Sequence, residues 1–181
     1  ASDVYKRQEY YTFKYWSIKE NGEEYNFNTL VTENITLYAV YSINKYTVTF
    51  KNYDGSVLQE ETLDYGSEVT YKGSTPTREK TKEYTYTFTG WDKEITKVLK
   101  NETYIAVYKE EKNKYTVTYI NEEIEYHKET LEYGSVITNV QDPIKEGYTF
   151  TGWYTKDNEK VNHPITVTKN ITLYSKYEIN V

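Results

Sequence analysis

The hexapeptide YTFTGW occurs at Tyr86–Trp91 and again, letter for letter, at Tyr148–Trp153, and a variant, YTFKYW, fills Tyr11–Trp16. Internal repetition constrains a fold more than any other sequence feature, because each copy has to be a structural unit of the same shape. Three further landmarks recur in fixed order. YTVTF, starting at Tyr46, returns as YTVTY at Tyr115, 69 residues further on. Leu63-Asp64-Tyr65-Gly66-Ser67 returns as Leu131-Glu132-Tyr133-Gly134-Ser135. Asn101–Tyr108 returns as Asn170–Tyr177, and a close relative occupies Asn34–Tyr41. The chain therefore reads as a truncated repeat, 9–43, holding only the C-terminal half of the unit, followed by whole units at 46–108 and 115–181. Ser42–Lys45 and Lys109–Lys114 are the joints, short and polar. Residues 1–8 read as a sequencing-library scar to be left out of fold reasoning, and the chain, which does not begin with Met, is expected to be an internal piece of a longer protein.

Within a unit the periodicity is two, the mark of a strand whose side chains alternate between faces. In Tyr46–Phe50 the residues Tyr46, Val48 and Phe50 share one face and both Thr the other; Tyr84, Tyr86 and Phe88 alternate with Thr85, Thr87 and Thr89 in the same way. Asp54-Gly55 signals a hairpin, since Gly takes the positive φ that tight turns demand, and Tyr65-Gly66 and Tyr133-Gly134 mark a second turn. Thr75-Pro76-Thr77 and Asp142-Pro143 break strand pairing, because Pro donates no backbone hydrogen bond. No segment sustains a helical period; Val98-Leu99 and the stretch before Asn170 hold at most a turn or a short helix. The fold class is mainly β with little helix, as a tandem array of small modules: two whole units and a half.

On this pattern YTFTGW is a strand with an aromatic core face. Trp16, Trp91 and Trp153 are expected at the centre of their modules, with Phe88, Phe150, Tyr108 and Tyr177 around them. The small residues Ala106 and Ser175 leave room on the last strand for the Trp. Tyr15 stands where the other copies have Gly90 and Gly152, so this site is not expected to require a positive φ.

Five motifs in this order over about 65 residues (YTVTF, LxYG, P-x-[RK]-E, YTFTGW and N-I-T-L-Y-x-x-Y) closely resemble the Listeria–Bacteroides repeat, which includes the B-repeat of internalin-type surface proteins. The resemblance implies a small ubiquitin-like β-grasp module, set in arrays on bacterial surface proteins, with no catalytic residues to carry over. The unit 46–108 departs from the pattern by lengthening the loop Arg78–Glu83 and shortening the segment after Trp91.

The chemistry available is narrow. The chain has no Cys, which excludes disulfides, thiolate metal sites and thiol nucleophiles. Its net charge of −6 is scattered among Glu and Lys, where a nucleic-acid partner would need a clustered basic face. No apolar run approaches the roughly 20 residues of a membrane span. His127 and His163 occupy non-equivalent places in one unit, so a repeat-wide catalytic or metal function is not expected, and no cofactor is. Asn34, Asn101 and Asn170 fit the N-glycosylation pattern, but an Asn closing the turn before the last strand accounts for them better. Of the 23 Tyr, most are expected to cover a small core with the ring and keep the hydroxyl wet. Those outside the alternating core face, Tyr38, Tyr71, Tyr154 and Tyr174, are the candidates for ligand contact. The leading expectation is a non-enzymatic extracellular stalk or spacer of a cell-surface protein, an adhesin among the candidates, anchored to the cell wall and partnered by its neighbouring repeats. The alternative is a module that binds a glycan or a host surface protein through exposed Tyr. A third reading is a Lys–Asn or Lys–Asp isopeptide crosslink.

Overall fold

A computed structural model describes residues 10–181; the segment read as a scar, 1–8, lies outside the described residues. Every regular element lying wholly within them is a strand: β1 (Tyr11–Ser17), β2 (Tyr38–Ile43), β3 (Lys45–Lys51), β4 (Val57–Asp64), β5 (Tyr84–Trp91), β6 (Glu102–Lys112), β7 (Lys114–Asn121), β8 (Ile124–Glu132), β9 (Val136–Ile137), β10 (Tyr148–Tyr154), β11 (Lys160–Val161), β12 (Ile165–Thr166) and β13 (Ile171–Ile179). The chain forms two compact units. Of the described residues, one contains those from 10 to 76 and Phe88–Val107, the other Thr77–Thr87 and Tyr108–Val181.

In the first whole repeat the sheet order is β4-β3-β6-β5, with β3 and β6 parallel in the middle and β4 antiparallel to β3. This order, second-first-fourth-third around a parallel pair, is the sheet of a β-grasp module. A central strand is covered on both faces, and Val48, Thr49 and Phe50 of β3 are all buried. The core consists of Val48, Phe50, Val98 and Tyr104, with Val69, Tyr71, Trp91 and Ile95 packed against it. The positions a helix would occupy are filled by irregular chain: Val69 and Tyr71 come from the crossover after β4, Ile95 and Val98 from the segment before β6.

The second whole repeat has the same plan in the order β11-β10-β13-β7-β8, again with a parallel central pair, β7 and β13. Its core is Val117, Tyr119, Ile137, Val140, Trp153, Val167 and Leu173. The Tyr-Gly-Ser turn grips the segment before the last strand in both copies. Gly66 N–H donates to Val98 O at 2.7 Å and Val98 N–H to Ser67 O at 3.0 Å; Gly134 and Val167, then Val167 and Ser135, repeat this at 2.8 Å each. The stretches expected to hold a turn or short helix are therefore extended chain that plugs the sheet with a buried Val.

Two turn details depart from the sequence reading. Gly90 and Gly152 have φ of 139° and 133°, a region open essentially to Gly alone, so a positive φ is used there after all. Tyr15 fills the same place in β1 without one: a β-bulge interrupts the register between Phe13 and Tyr15, as another does between Phe150 and Gly152. The bulge recurs, and Gly is one way of making it. The β7–β8 hairpin turns on Glu122 and Glu123, with φ of 49° and 69°, where β3–β4 uses Asp54-Gly55. Two successive positive φ values are the type I′ geometry that suits the right-handed twist of the strands.

Candidate functional site

A protein built from linked repeats has its most telling chemistry at the joints. Asn44 follows β2 and precedes β3. Its N–H donates to Tyr10 O at 2.9 Å, and its carbonyl accepts from the Tyr65 N–H at 2.7 Å. Its side-chain Oδ1 accepts from Thr12 Oγ1 at 2.6 Å, and the Tyr10 and Tyr65 rings lie 4.4 Å apart. One residue thus ties the last strand pair of one repeat to the Tyr-Gly turn of the next. Asn113 repeats the arrangement. Its N–H donates to Glu83 O and its carbonyl accepts from the Tyr133 N–H, both at 2.8 Å. Its Oδ1 accepts from Thr85 Oγ1 at 2.6 Å, and its Nδ2 donates to Thr81 O and Lys82 O at 2.8 and 3.0 Å. Tyr115 adds a bond from its hydroxyl to Lys82 O at 2.7 Å, so the lengthened loop of the first whole repeat reaches the first strand of the second. At the end of the last repeat Asn180 N–H donates to Gly147 O at 2.9 Å and its Oδ1 accepts from Thr149 Oγ1 at 2.7 Å. Sequence reasoning placed Asn44 and Asn113 inside polar joints and missed their role; the signal was the identical Asn-Lys-Tyr-Thr at 44–47 and 113–116.

A second Asn works inside each whole repeat. Asn101 Oδ1 accepts the Thr47 N–H and Asn170 Oδ1 the Thr116 N–H, each at 2.8 Å. Each bond fixes the start of the parallel central pair. This is what the Asn-x-Thr pattern does in the whole repeats.

The expected core aromatics are unequal. Trp153 is 3 % exposed, with its ring 4.9 Å from Tyr119 and 5.4 Å from Phe150; its indole Nε1 is buried without a protein partner. Trp91 is half-buried, 4.7 Å from Phe50 and 5.5 Å from Phe88. Phe88, Phe150, Tyr108 and Tyr177 are all half-buried, and the Tyr177 hydroxyl donates to Asn121 Oδ1 at 2.7 Å. Trp16 is 41 % exposed, which corrects its expected core place. The described part of the truncated repeat has only β1 and β2 and supplies no first strand to cover the ring.

Among the candidate ligand tyrosines, Tyr71 is half-buried and packs against the core of its repeat. Its ring packs 5.2 Å from Phe50 and 4.9 Å from Trp91, and its hydroxyl donates to Ser74 O at 3.0 Å. Tyr154 is half-buried with the Lys176 ammonium 4.6 Å above its ring. Tyr38 and Tyr174 are 45 % and 41 % exposed. Tyr154 and Tyr174 are direct partners across β10 and β13; Tyr38 lies apart from them on β2.

The histidines sit around Tyr119. Its hydroxyl and His163 Nε2 are 2.9 Å apart, with the rings nearly parallel. Burial, with a smaller contribution from the Glu129 carboxylate, pushes the Tyr119 phenol up to about 12. Burial also holds the His163 imidazole below its ordinary value, against the opposing pull of Asp142. His127 pairs with Glu129 at 2.7 Å. Among the described residues no group of three or more His, Asp or Glu is arranged to hold a metal ion, and no helix is long and apolar enough to cross a membrane.

The chain is similar to several known proteins. A protein of Evansella cellulosilytica described as a "Putative membrane protein" is 35 % identical over 187 residues, covering 96 % of this chain and 27 % of its own length. A "Putative Gly-rich membrane protein" of the same organism is 35 % identical over 190 residues, covering 94 % of this chain and 21 % of its own length. The chain thus spans about a quarter of the length of these relatives. Among solved structures, Streptococcal High Identity Repeats in Tandem (SHIRT) domains 3-4 from a cell surface protein align over 75 % of this chain and 98 % of that one, at 19 % identity and a TM-score of 0.36. The family model of the Listeria-Bacteroides repeat domain matches residues 6–40, 46–107 and 115–176. The chain belongs to the Listeria-Bacteroides repeat domain family.

Proposed function

We propose that this chain is a non-enzymatic spacer segment of an extracellular, wall-attached bacterial surface protein, whose role is to hold another domain away from the cell. The observation that carries the reading is the joint. The same Asn-centred hydrogen bonds recur at Asn44 and Asn113, and the linkers leave no long flexible segment between one repeat and the next. A spacer needs a repeating unit and a repeating connection, and stacked units stabilise one another through such contacts. Scattering from this chain and from one lengthened by a further copy of 115–181 tests it. A spacer has a radius of gyration above roughly 20 Å for 181 residues, against about 16 Å for a single compact domain, and its longest dimension grows by about one module for each added repeat. A longest dimension that stays constant on lengthening contradicts the proposal.

The rival reading, a module that binds a glycan or host surface protein, is favoured by one observation: the cross-strand pair Tyr154 and Tyr174, of which Tyr174 is well exposed. Binding to a glycan array that Tyr174→Ala abolishes would support it. The crosslink reading has little to build on. Lys45 Nζ meets Asp64 at 2.5 Å with both side chains exposed, and the Lys176–Asn158 contact at 2.6 Å is also exposed. An amine in water stays protonated and is no nucleophile. The intact mass is expected to equal the sequence mass; a deficit of one ammonia or water would restore the crosslink.

A further inference from the structure

The turn that follows the Trp strand is built twice on an Asn in the left-handed region, and the two copies differ in their chemistry. Asn21 and Asn158 each stand five residues after their Trp, in the turns that leave β1 and β10, with φ of 55° and 65°. Asn tolerates this region better than most residues do, and both are exposed. The Asn158 side chain is held, its Oδ1 accepting from the Lys176 ammonium at 2.6 Å. The residue after it is Glu159, whose N–H donates to Thr155 Oγ1 at 3.3 Å. The Asn21 side chain has no hydrogen-bond partner among the described residues, and the residue after it is Gly22, in the single Asn-Gly of the chain. The Gly22 N–H donates to Lys19 O at 3.1 Å, one bond in an exposed turn, which opens at little cost. The single Asp-Gly, Asp54-Gly55, is shielded in another way. Its carboxylate accepts from the Ser56 hydroxyl at 2.6 Å and the Ser56 N–H at 3.0 Å. These bonds hold Asp54 below its ordinary value, and a carboxylate anion resists nucleophilic attack.

We propose that Asn21 is a site of spontaneous deamidation, where the chain converts an amide to an acid without an enzyme. The Gly22 amide nitrogen gives up its proton to water and attacks Asn21 Cγ. A C–N bond forms, a succinimide ring closes, and the side-chain nitrogen leaves as ammonia. Water then adds to either ring carbonyl. Opening on one side leaves Asp in an ordinary backbone; opening on the other leaves isoaspartate, with the backbone running through the former side chain. Gly serves the step because no Cβ crowds the attacking nitrogen and its backbone turns freely. Both products add a negative charge, and isoaspartate also lengthens the backbone by a methylene. The lengthening falls in a turn tied by the Tyr15 hydroxyl donating to Gly22 O and by the Lys19 N–H donating to Ser17 Oγ, both at 3.2 Å. This inference stands apart from the spacer reading, since the reaction proceeds whatever the array holds.

The test incubates the full chain in mildly alkaline buffer and follows each Asn by peptide mapping with fragment masses. Asn21 is expected to gain the mass difference between an amide and an acid, with part of the product labelled by an isoaspartyl methyltransferase. Because the reach of the attacking atom governs such a ring closure, Asn21 is expected to convert about tenfold or more faster than Asn158. A second chain carries Glu159→Gly and Lys176→Ala, which give the Asn158 turn the neighbour and the free side chain of Asn21. Conversion at Asn158 is then expected to rise toward the rate at Asn21. An Asn21 amide that persists while other Asn residues convert would overturn the proposal. So would equal rates at Asn21 and Asn158 in the parent chain, or a rate at Asn158 unmoved by the two substitutions, because the turn's chemistry would then not set the lability.

Discussion

Trp16 and Trp153 hold the same position in their repeats and have opposite surroundings, so the pair separates the effect of the residue from the effect of its place. Trp153→Ala removes a ring enclosed by Tyr119, Tyr126 and Phe150, and is expected to cost about 3–5 kcal/mol in thermal or denaturant unfolding. Trp16→Ala, at an exposed site, is expected to stay within about 0.5 kcal/mol. The neighbouring Gly152 is constrained by its backbone: its φ of 133° suits no other residue, whereas Lys160 Cε, which an added Cβ would meet at 2.8 Å, belongs to a flexible side chain that can swing away. His163 makes a prediction about pH. Its folded pKa lies below the unfolded value because burial disfavours the cation, so the unfolded chain takes up the proton first. The stability of the neutral form is complete above the unfolded value of about 6.5 and is lost as pH falls toward the folded one. Unfolding midpoints measured between about pH 7 and 5 should therefore fall less steeply in His163→Gln than in the parent.

Among the elements, the β7–β8 hairpin carries the clearest conflict between residue and conformation. Glu122 and Glu123 both hold positive φ, a conformation that costs an ordinary residue about 1–2 kcal/mol. Glycine removes that cost at the expense of about 0.5–1 kcal/mol of backbone entropy. Glu123→Gly is thus expected to stabilise the chain by about 0.5–1 kcal/mol, read as a rise in denaturant midpoint; a fall would show that the turn is set by something other than backbone geometry. This turn is also where the sequence was least legible, since neither of its two positive-φ positions holds Gly or Asn, whereas Asp54-Gly55 announced its partner hairpin. Strands and their faces were legible because a period of two leaves its mark in every YTVTF and YTFTGW. The sheet order was implied only by the resemblance, because parallel pairing of the first and last strands is a long-range contact with no local signature. The packing of Tyr71 was not legible for the same reason. It sits in an irregular crossover, and only the folded chain returns it to Phe50 and Trp91. The joint residues Asn44 and Asn113 were visible as a repeated letter, but their three-way bonding depends on which turn the fold brings to them.

At the scale of the whole molecule the recurring motifs are architecture, and a recurring Asn, at 44 and 113, bonds the end of one repeat to the Tyr-Gly turn of the next. Stability in such arrays is the sum of unit and interface contributions, so weakening an interface should loosen the joint and leave each core intact. Asn113 is the place to ask, because its side chain supplies one accepted and two donated hydrogen bonds that Ala cannot replace. The measurement is amide hydrogen exchange of the full chain with and without Asn113→Ala. The Tyr133 and residue 113 amides are expected to lose protection by about tenfold or more while the central-strand amides of Val117 and Leu173 keep theirs. Unchanged exchange at residues 113 and 133 would contradict the claim that this residue couples one repeat to the next, and equal losses at Val117 and Leu173 would show that it belongs to the core instead.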